Sequence, residues 1–138
     1  MKYGMFEWNV RFSLHVDEID REHQELFRLA GELYAAMKIG QGKVKLARSL
    51  DRLVEYTRVH FRHEEKLMQS TGYPDSYSHK AEHDALTREV LRFQGDFVTG
   101  RAAVTAQVMQ FLSGWLERHI GDSDAALAQH LTAAACLR

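Results

Sequence analysis

The sequence contains few of the residues that cross-link or interrupt a chain. Its 138 residues include one cysteine, one proline and nine glycines. A lone thiol, Cys136, cannot form an internal disulfide, which excludes a disulfide-stabilised scaffold and favours a reducing, cytoplasmic location. So few turn residues also argue against a β architecture with many turns.

Charge of one sign and long apolar runs are missing as well. The 18 Lys and Arg balance 19 Asp and Glu, and they form no basic cluster of the kind that binds nucleic acid. The start, MKYGMFEWNV, lacks the apolar stretch of a signal peptide, and no run approaches the roughly 20 apolar residues of a membrane span. We therefore expect a cytoplasmic protein without nucleic-acid or membrane partners; a protein partner is not indicated.

Helical periodicity is what the sequence does contain. In four segments, apolar side chains recur at spacings of three and four residues. The segments are separated by expected helix breaks at Gly40–Gly42, Gly72–Pro74 and Gly100. We expect one domain, 1–138, with an arm at about 1–17 and helices at about 18–39, 43–70, 76–98 and 102–121, the last with a C-terminal extension. Short connections favour an all-α, antiparallel up-down-up-down four-helix bundle, with the aromatic residues of the arm packed on it.

Polar residues occupy some of the apolar positions of these helices. Antiparallel topology places them all at one end of the bundle, facing inward: His23, His60, Glu64, His79, His83 and His119. Burying five imidazoles beside a carboxylate costs several kcal/mol unless something compensates. A metal centre does so, since imidazole and carboxylate suit iron, manganese or zinc.

Asp124 is a second candidate carboxylate, five residues after His119. In a straight α-helix five residues rotate a side chain by about 500°, or 140° net, away from the first. The sequence therefore predicts a local irregularity between His119 and Asp124, which Gly121 would permit. With Asp124 the set reaches seven, too many for one zinc but suited to two metals that share carboxylates.

Four segments resemble the signature of the hemerythrin family, specifically its single-domain prokaryotic form, the bacteriohemerythrins. They are Ile19-Asp20-Arg21-Glu22-His23-Gln24-Glu25-Leu26-Phe27, His60-Phe61-Arg62-His63-Glu64-Glu65, His79-x-x-x-His83, and Trp115-Leu116-x-x-His119-Ile120-x-x-x-Asp124. The resemblance covers essentially the whole chain and implies reversible O2 binding, for storage, delivery or sensing, at two oxo- or hydroxo-bridged non-heme iron ions. The implied ligands are His79, His83 and His119 for one iron, His23 and His60 for the other, and Glu64 and Asp124 bridging both.

The resemblance also implies an oxygen pocket formed by Trp115, Leu116 and the residue two positions after His119. That residue is Gly121, where the family commonly has a bulky apolar side chain. A missing side chain there would widen the pocket, admit water and hasten autoxidation, unless another helix fills the space; alternatively, Gly121 only relaxes the helix.

Two other functions stay open at this stage. The site could belong to a di-iron oxidase or peroxidase that consumes O2, peroxide or nitric oxide, with Gly121 opening the pocket, or to an iron-storage or iron-sensing domain. We expect a binding protein rather than an enzyme. Among residues outside the ligand set, Asp20 is expected to be an exposed acid in the first helical turn, with support of the site from outside as the alternative. Glu65 is expected to face solvent or the bundle edge, and His63, His15 and His130 to face solvent or support the site from outside.

Overall fold

A computed structural model describes residues 5–136 of the chain. The first four residues of the predicted arm and the side chain of Cys136 lie outside this description. The elements are a 3-10 turn (Val10–Phe12), then α1 (Asp17–Lys38), α2 (Lys43–Thr71), α3 (Ser76–Val98), α4 (Ala106–Arg118), a π-helical segment (His119–Asp124) and α5 (Ala125–Cys136). Because α4, the π-helical segment and α5 follow one another without a loop, together they form the continuous fourth helix of the bundle. The fold is the predicted all-α four-helix architecture.

Local signals set the ends of the helices. Gly72 ends α2 with a left-handed φ of 66°, a conformation that glycine adopts without steric cost. The side chain of Thr105 accepts a hydrogen bond from the backbone N–H of Val108 and caps α4. The fourth helix therefore begins at Ala106, later than the 102 expected from the sequence.

The apolar core consists of two clusters. The larger one fills most of the bundle and includes Leu26, Leu33 and Met109, while the smaller one contains Ile19, Met68, Tyr73 and Leu127. On α1, His23 lies between Ile19 of the smaller cluster and Leu26 of the larger one. A polar layer thus lies between two apolar ones.

The arm packs on the bundle as predicted. Ring centroids of Trp8 and Phe12 lie 5.6 and 5.1 Å from that of Phe27. Asp20 anchors the segment that follows, since its carboxylate accepts hydrogen bonds from the Ser13 hydroxyl at 2.6 Å and the Leu14 N–H at 2.8 Å. Asp20 is therefore not the exposed acid expected from the sequence. Among residues 5–136, no helix combines the length and the apolar character needed to cross a membrane.

Candidate metal centre

Seven side chains account for all the buried polar or charged residues among those described. They are the seven singled out by sequence: His23, His60, Glu64, His79, His83, His119 and Asp124. Every one is at most 5% exposed. The structure brings the whole set together in the polar layer between the two apolar clusters.

The helices supply these residues in pairs one turn apart. His60 and Glu64 share one face of α2, and His79 and His83 share one face of α3, since positions i and i+4 of an α-helix are neighbours. His23 comes from α1. All the pairs face the bundle interior.

The predicted irregularity of the fourth helix is present. Residues His119–Asp124 form a π-helical segment, in which hydrogen bonds join residues five apart rather than four. His119 and Asp124 consequently point to the same side, with His119 Nε2 and Asp124 Oδ1 3.1 Å apart. The off-period spacing of the sequence is accommodated by the backbone itself.

Glu64 directs its two carboxylate oxygens toward different histidines. Oε2 lies 3.3 Å from His60 Nε2 and 3.8 Å from His23 Nε2. Oε1 lies 3.0 Å from His83 Nε2 and 3.5 Å from His79 Nε2. The carboxylate thus stands between a pair of histidines on one side and another pair on the other.

Asp124 divides its oxygens in the same way. Oδ2 lies 2.8 Å from His23 Nε2, whereas Oδ1 lies 3.0 Å from His79 Nε2 and 3.1 Å from His119 Nε2. Two sets of donor atoms result, each within a span of 4.8 Å. One set is Glu64, His79, His83, His119 and Asp124, and the other is His23, His60, Glu64 and Asp124.

Metal ions would satisfy the donor atoms of the cluster better than hydrogen bonds within the cluster do. Buried polar atoms without a hydrogen-bond partner in the described chain include the Nε2 atoms of His60, His79, His83 and His119, both oxygens of Glu64 and Oδ1 of Asp124. Buried polar atoms are normally satisfied, and leaving several unpaired in one place is costly. Metal coordination by imidazole and carboxylate would satisfy all of them.

Charge in the metal-free cluster is balanced by protons. Burial favours neutral His60, but the carboxylates of Glu64 and Glu22 outweigh it and raise the pKa of His60 to about 10. Burial opposes the charge of His79 too, and its close contacts with the carboxylates of Asp124 and Glu64 raise its pKa to about 9. Burial and the Glu64 charge act to raise the pKa of Asp124, yet its close contacts with three histidines lower it. The cluster therefore keeps its carboxylates ionised.

Three further glutamates contact the cluster from outside. The Nδ1–H of His60 donates to Glu22 Oε1 at 2.6 Å, that of His83 donates to Glu65 Oε2 at 2.9 Å, and that of His119 donates to Glu82 Oε1 at 3.2 Å. Such bonds fix the tautomer and orientation of a metal-binding imidazole. Glu65, expected from the sequence to face solvent or the bundle edge, is half-buried and contacts the next helix. Glu22 also accepts from His63 Nδ1 at 2.7 Å, so His63 supports the site from outside.

The sequence held a signal for these glutamates. Each is adjacent to a residue of the cluster, Glu22 to His23, Glu65 to Glu64 and Glu82 to His83. A step of one residue rotates a side chain by about 100° around the helix, so it leaves the interior stripe and faces the neighbouring helix. Each glutamate thereby supports a histidine of a neighbouring helix.

Aromatic rings hold two of the histidines in place. Phe61 stacks on His83 with centroids 3.8 Å apart and planes 4° from parallel. Trp115 stacks on His119 at 4.5 Å and 17°. Leu116 is buried and belongs to the larger apolar cluster. Trp115 thus lies against the cluster and Leu116 in the apolar core, and their assignment to an oxygen pocket stays a prediction; Phe61 was not foreseen as a wall of this site.

Gly121 does not line the interior. It is exposed, and a Cβ built on it would have no atom within 4 Å. The π-helical turn directs this position outward and leaves Ile120, only 2% exposed, on the buried side. The expectation that Gly121 widens an oxygen pocket is therefore wrong, and its position fits a role in relaxing the helix.

Comparison with known proteins agrees with this arrangement. Residues 14–131 match the family described as the Hemerythrin HHE cation binding domain. A bacteriohemerythrin of Methylococcus capsulatus is 33% identical over 122 residues, which are 88% of this chain and 92% of that protein. One of Clostridium acetobutylicum is 32% identical over 124 residues, or 87% and 96%.

Solved structures show the same fold. A wild-type hemerythrin crystal structure superposes with a TM-score of 0.88 at 31% identity and covers 93% of this chain and 98% of that one. The crystal structure of a hemerythrin point mutant gives 0.86 at 31% identity and covers 91% and 95%. With its four helices and its buried histidine and carboxylate cluster, the chain belongs to the hemerythrin family.

Proposed function

We propose that this protein binds O2 reversibly at a dinuclear non-heme iron centre. The ligands in this proposal are His79, His83 and His119 for one iron, His23 and His60 for the other, and Glu64 and Asp124 for both. Two irons, when bound, supply the two-electron exchange with O2 that reversible binding requires. Neither storage, delivery nor sensing is favoured over the others.

The observation that carries the proposal is the division of each carboxylate between two sets of histidines. A carboxylate that served one metal would direct both oxygens to the same group of donors. Glu64 and Asp124 instead each face histidines of both sets. This is the arrangement that two bridged metals need.

The unequal number of histidines indicates where O2 would bind. The set with His23 and His60 offers four protein donors, whereas the set with His79, His83 and His119 offers five. The four-donor side leaves more room for an external ligand. Abundant imidazole and few carboxylates also place less negative charge on the metals, which favours release of O2 over its further reduction.

The surrounding side chains keep water out. Apolar clusters lie on both sides of the polar layer, and Leu116 and Ile120 are 5% and 2% exposed. Excluding water protects a reactive ligand from side reactions such as proton leakage. The chain's own contribution is therefore to orient the ligands and to exclude solvent.

An apolar cavity lies between the helices. It has a volume of about 390 Å³ and is lined mainly by apolar side chains of all four helices, among them Leu33 and Leu116, but by none of the seven ligands. Leu116 precedes His119 by three residues, about one helical turn. O2, which is apolar, would enter such a cavity more readily than water would.

The oxidase or peroxidase alternative has lost its specific support. It rested on a pocket opened by Gly121, and that residue faces outward. No contact in the described chain favours iron storage or sensing.

The test is repeated oxygenation of the protein loaded anaerobically with ferrous iron. We expect a visible absorption band to appear with O2, to disappear under argon and to return over many cycles. The variant His119→Ala should lose both the band and part of the iron. His15→Asn is the matched control, because His15 is exposed and asparagine tolerates its positive φ of 61°. A band that decays once while reductant is consumed would instead indicate an oxidase.

A further inference from the structure

The π-helical segment contains a contact that the ligand set does not explain. Within it, the hydroxyl of Ser123 donates to the carboxylate of Glu82 on α3, at 2.7 Å from Oε1 and 2.8 Å from Oε2. His119, the first residue of the segment, donates from Nδ1 to Oε1 of the same carboxylate at 3.2 Å. The first residue of the segment and its last but one thus both hydrogen-bond to one side chain of a neighbouring helix.

The segment needs a stabilising contact of this kind because the π-helical conformation is unfavourable. π-Helices are rare and occur mostly as single turns at functional sites. An α-helical register from His119 onward would restore ordinary hydrogen bonding, but it would turn Asp124 away from the interior. Some interaction must therefore favour the wider turn.

We propose that Glu82 is a positioning residue that holds the π-helical register through Ser123, and that this clamp keeps Asp124 directed into the metal centre. The proposal rests on the proposed metal centre, though not on O2 binding. The clamp consists of Glu82 and Ser123. It acts on Asp124 through the backbone, one residue after Ser123.

The geometry separates this role from that of the other supporting glutamates. Glu22 and Glu65 bond to histidine rings, but neither contacts the π-helical segment in the described structure. Glu82 makes its shorter bonds to Ser123 and its longer one to His119. Its main partner is therefore the Ser123 hydroxyl rather than the imidazole of His119.

Gly121 allows the wide turn without enforcing it. It is exposed and contacts no side chain that would select one register. Ile120 is buried on the interior side, yet an apolar side chain packs without directional preference. The Glu82 carboxylate supplies a directional contact from outside the ligand set, in addition to the 2.8 Å hydrogen bond between His23 Nε2 and Asp124 Oδ2 inside it.

The first experiment measures amide hydrogen exchange in the metal-free protein. Ser123→Ala and Glu82→Ala should each accelerate exchange of residues 119–125 by about tenfold, the factor expected for losing a hydrogen bond to a charged group. Exchange in α1 and α2 should be unchanged. The double variant should be no worse than Glu82→Ala alone, because Glu82→Ala already removes the contact with Ser123.

Two matched variants separate the clamp from general support of the site. Ser123→Thr keeps the hydroxyl and should restore slow exchange. Glu65→Gln weakens a support of His83 without touching the segment, so it should leave residues 119–125 unaffected. Unchanged exchange in Ser123→Ala, or equal acceleration in Glu65→Gln, would overturn the proposal.

A metal titration gives the second readout. Asp124 belongs to both donor sets, so we expect Ser123→Ala to weaken binding of the second Co²⁺ ion by about tenfold in competition with a chelator, and Ser123→Thr to bind as the unmodified protein does. Unaltered Co²⁺ binding in Ser123→Ala would contradict the link to Asp124. If the unmodified protein bound no Co²⁺ or iron, the proposed function would fail, while hydrogen exchange would still decide whether the clamp exists.

Discussion

Glu64 and Asp124 lie on different helices, yet both place one carboxylate oxygen among the histidines of one donor set and the other oxygen among those of the second. Neither oxygen of Glu64 has a hydrogen-bond partner in the described chain. The two residues therefore form the shared edge of two adjoining sites. A change at either residue should consequently affect both sites at once.

Asp124→Asn should reduce bound iron from two ions per chain toward one or none. The amide is nearly the same size but carries no charge, so two metals would share a single carboxylate. Iron analysis after gel filtration measures the effect. Asp84→Asn is the control, because Asp84 forms an exposed ion pair with Lys80; equal loss of iron in both variants would contradict the assignment.

Metal binding at pH 7 should release protons. With pKa values of about 10 for His60 and about 9 for His79, both rings carry a proton at pH 7 in the metal-free protein, and only neutral imidazole binds metal. We expect release of about two protons per chain, measured by weakly buffered titration. Proton uptake, or none exchanged, would be inconsistent with these pKa values.

The same groups give the metal-free protein a distinct pH profile. The raised pKa values of His60 and His79 stabilise the fold below about pH 6.5, and this stability is lost as pH rises through about 9 to 10. The lowered pKa of Asp124 stabilises the fold above its ordinary value of 3.8 and is lost in acid. Thermal unfolding should therefore show Tm falling from pH 7 to 10 without metal, and much less with metal.

Glu65→Gln should weaken metal binding by about 10 to 100-fold, the usual effect of removing a carboxylate that orients a coordinating histidine. The bond from His83 Nδ1 to Glu65, 2.9 Å long, is the one weakened. Chelator competition provides the measurement. Glu89→Gln on α3, which breaks only an exposed pair with Arg92, should bind as the unmodified protein does.

Val90→Trp should slow both association and dissociation of O2. Val90 and Leu116 both line the apolar cavity, and a larger side chain at position 90 would narrow a route of O2 through it. Since a path affects the two rates equally, Kd should change little. Stopped-flow mixing and O2 release measure the rates, with the exposed Val98→Trp as control; unchanged rates in Val90→Trp would place the entry of O2 elsewhere.

Periodicity predicted the helices and the cluster because both depend on which face of a helix is buried. His60 and Glu64 stand out as polar residues on an otherwise apolar stripe. The spacing of His119 and Asp124 likewise predicted a broken helical register, and the π-helical segment confirms it.

Helical periodicity could not predict which side chains contact a neighbouring helix. Glu65 and Glu82 lie off the interior stripe of their own helices, and periodicity alone does not tell a solvent-facing position from one that faces the next helix. The expectation that Gly121 lines the pocket failed for a related reason. The direction in which a position of a π-helical turn points depends on its hydrogen-bonding register, which the sequence leaves undefined.

Anomalous X-ray diffraction at the iron absorption edge, from crystals of the iron-loaded protein, would locate the metals themselves. We expect two peaks per chain, one among His79, His83 and His119 and one beside His23 and His60, with Glu64 and Asp124 in contact with both. A single peak, or iron bound away from these carboxylates, would contradict the proposed dinuclear centre.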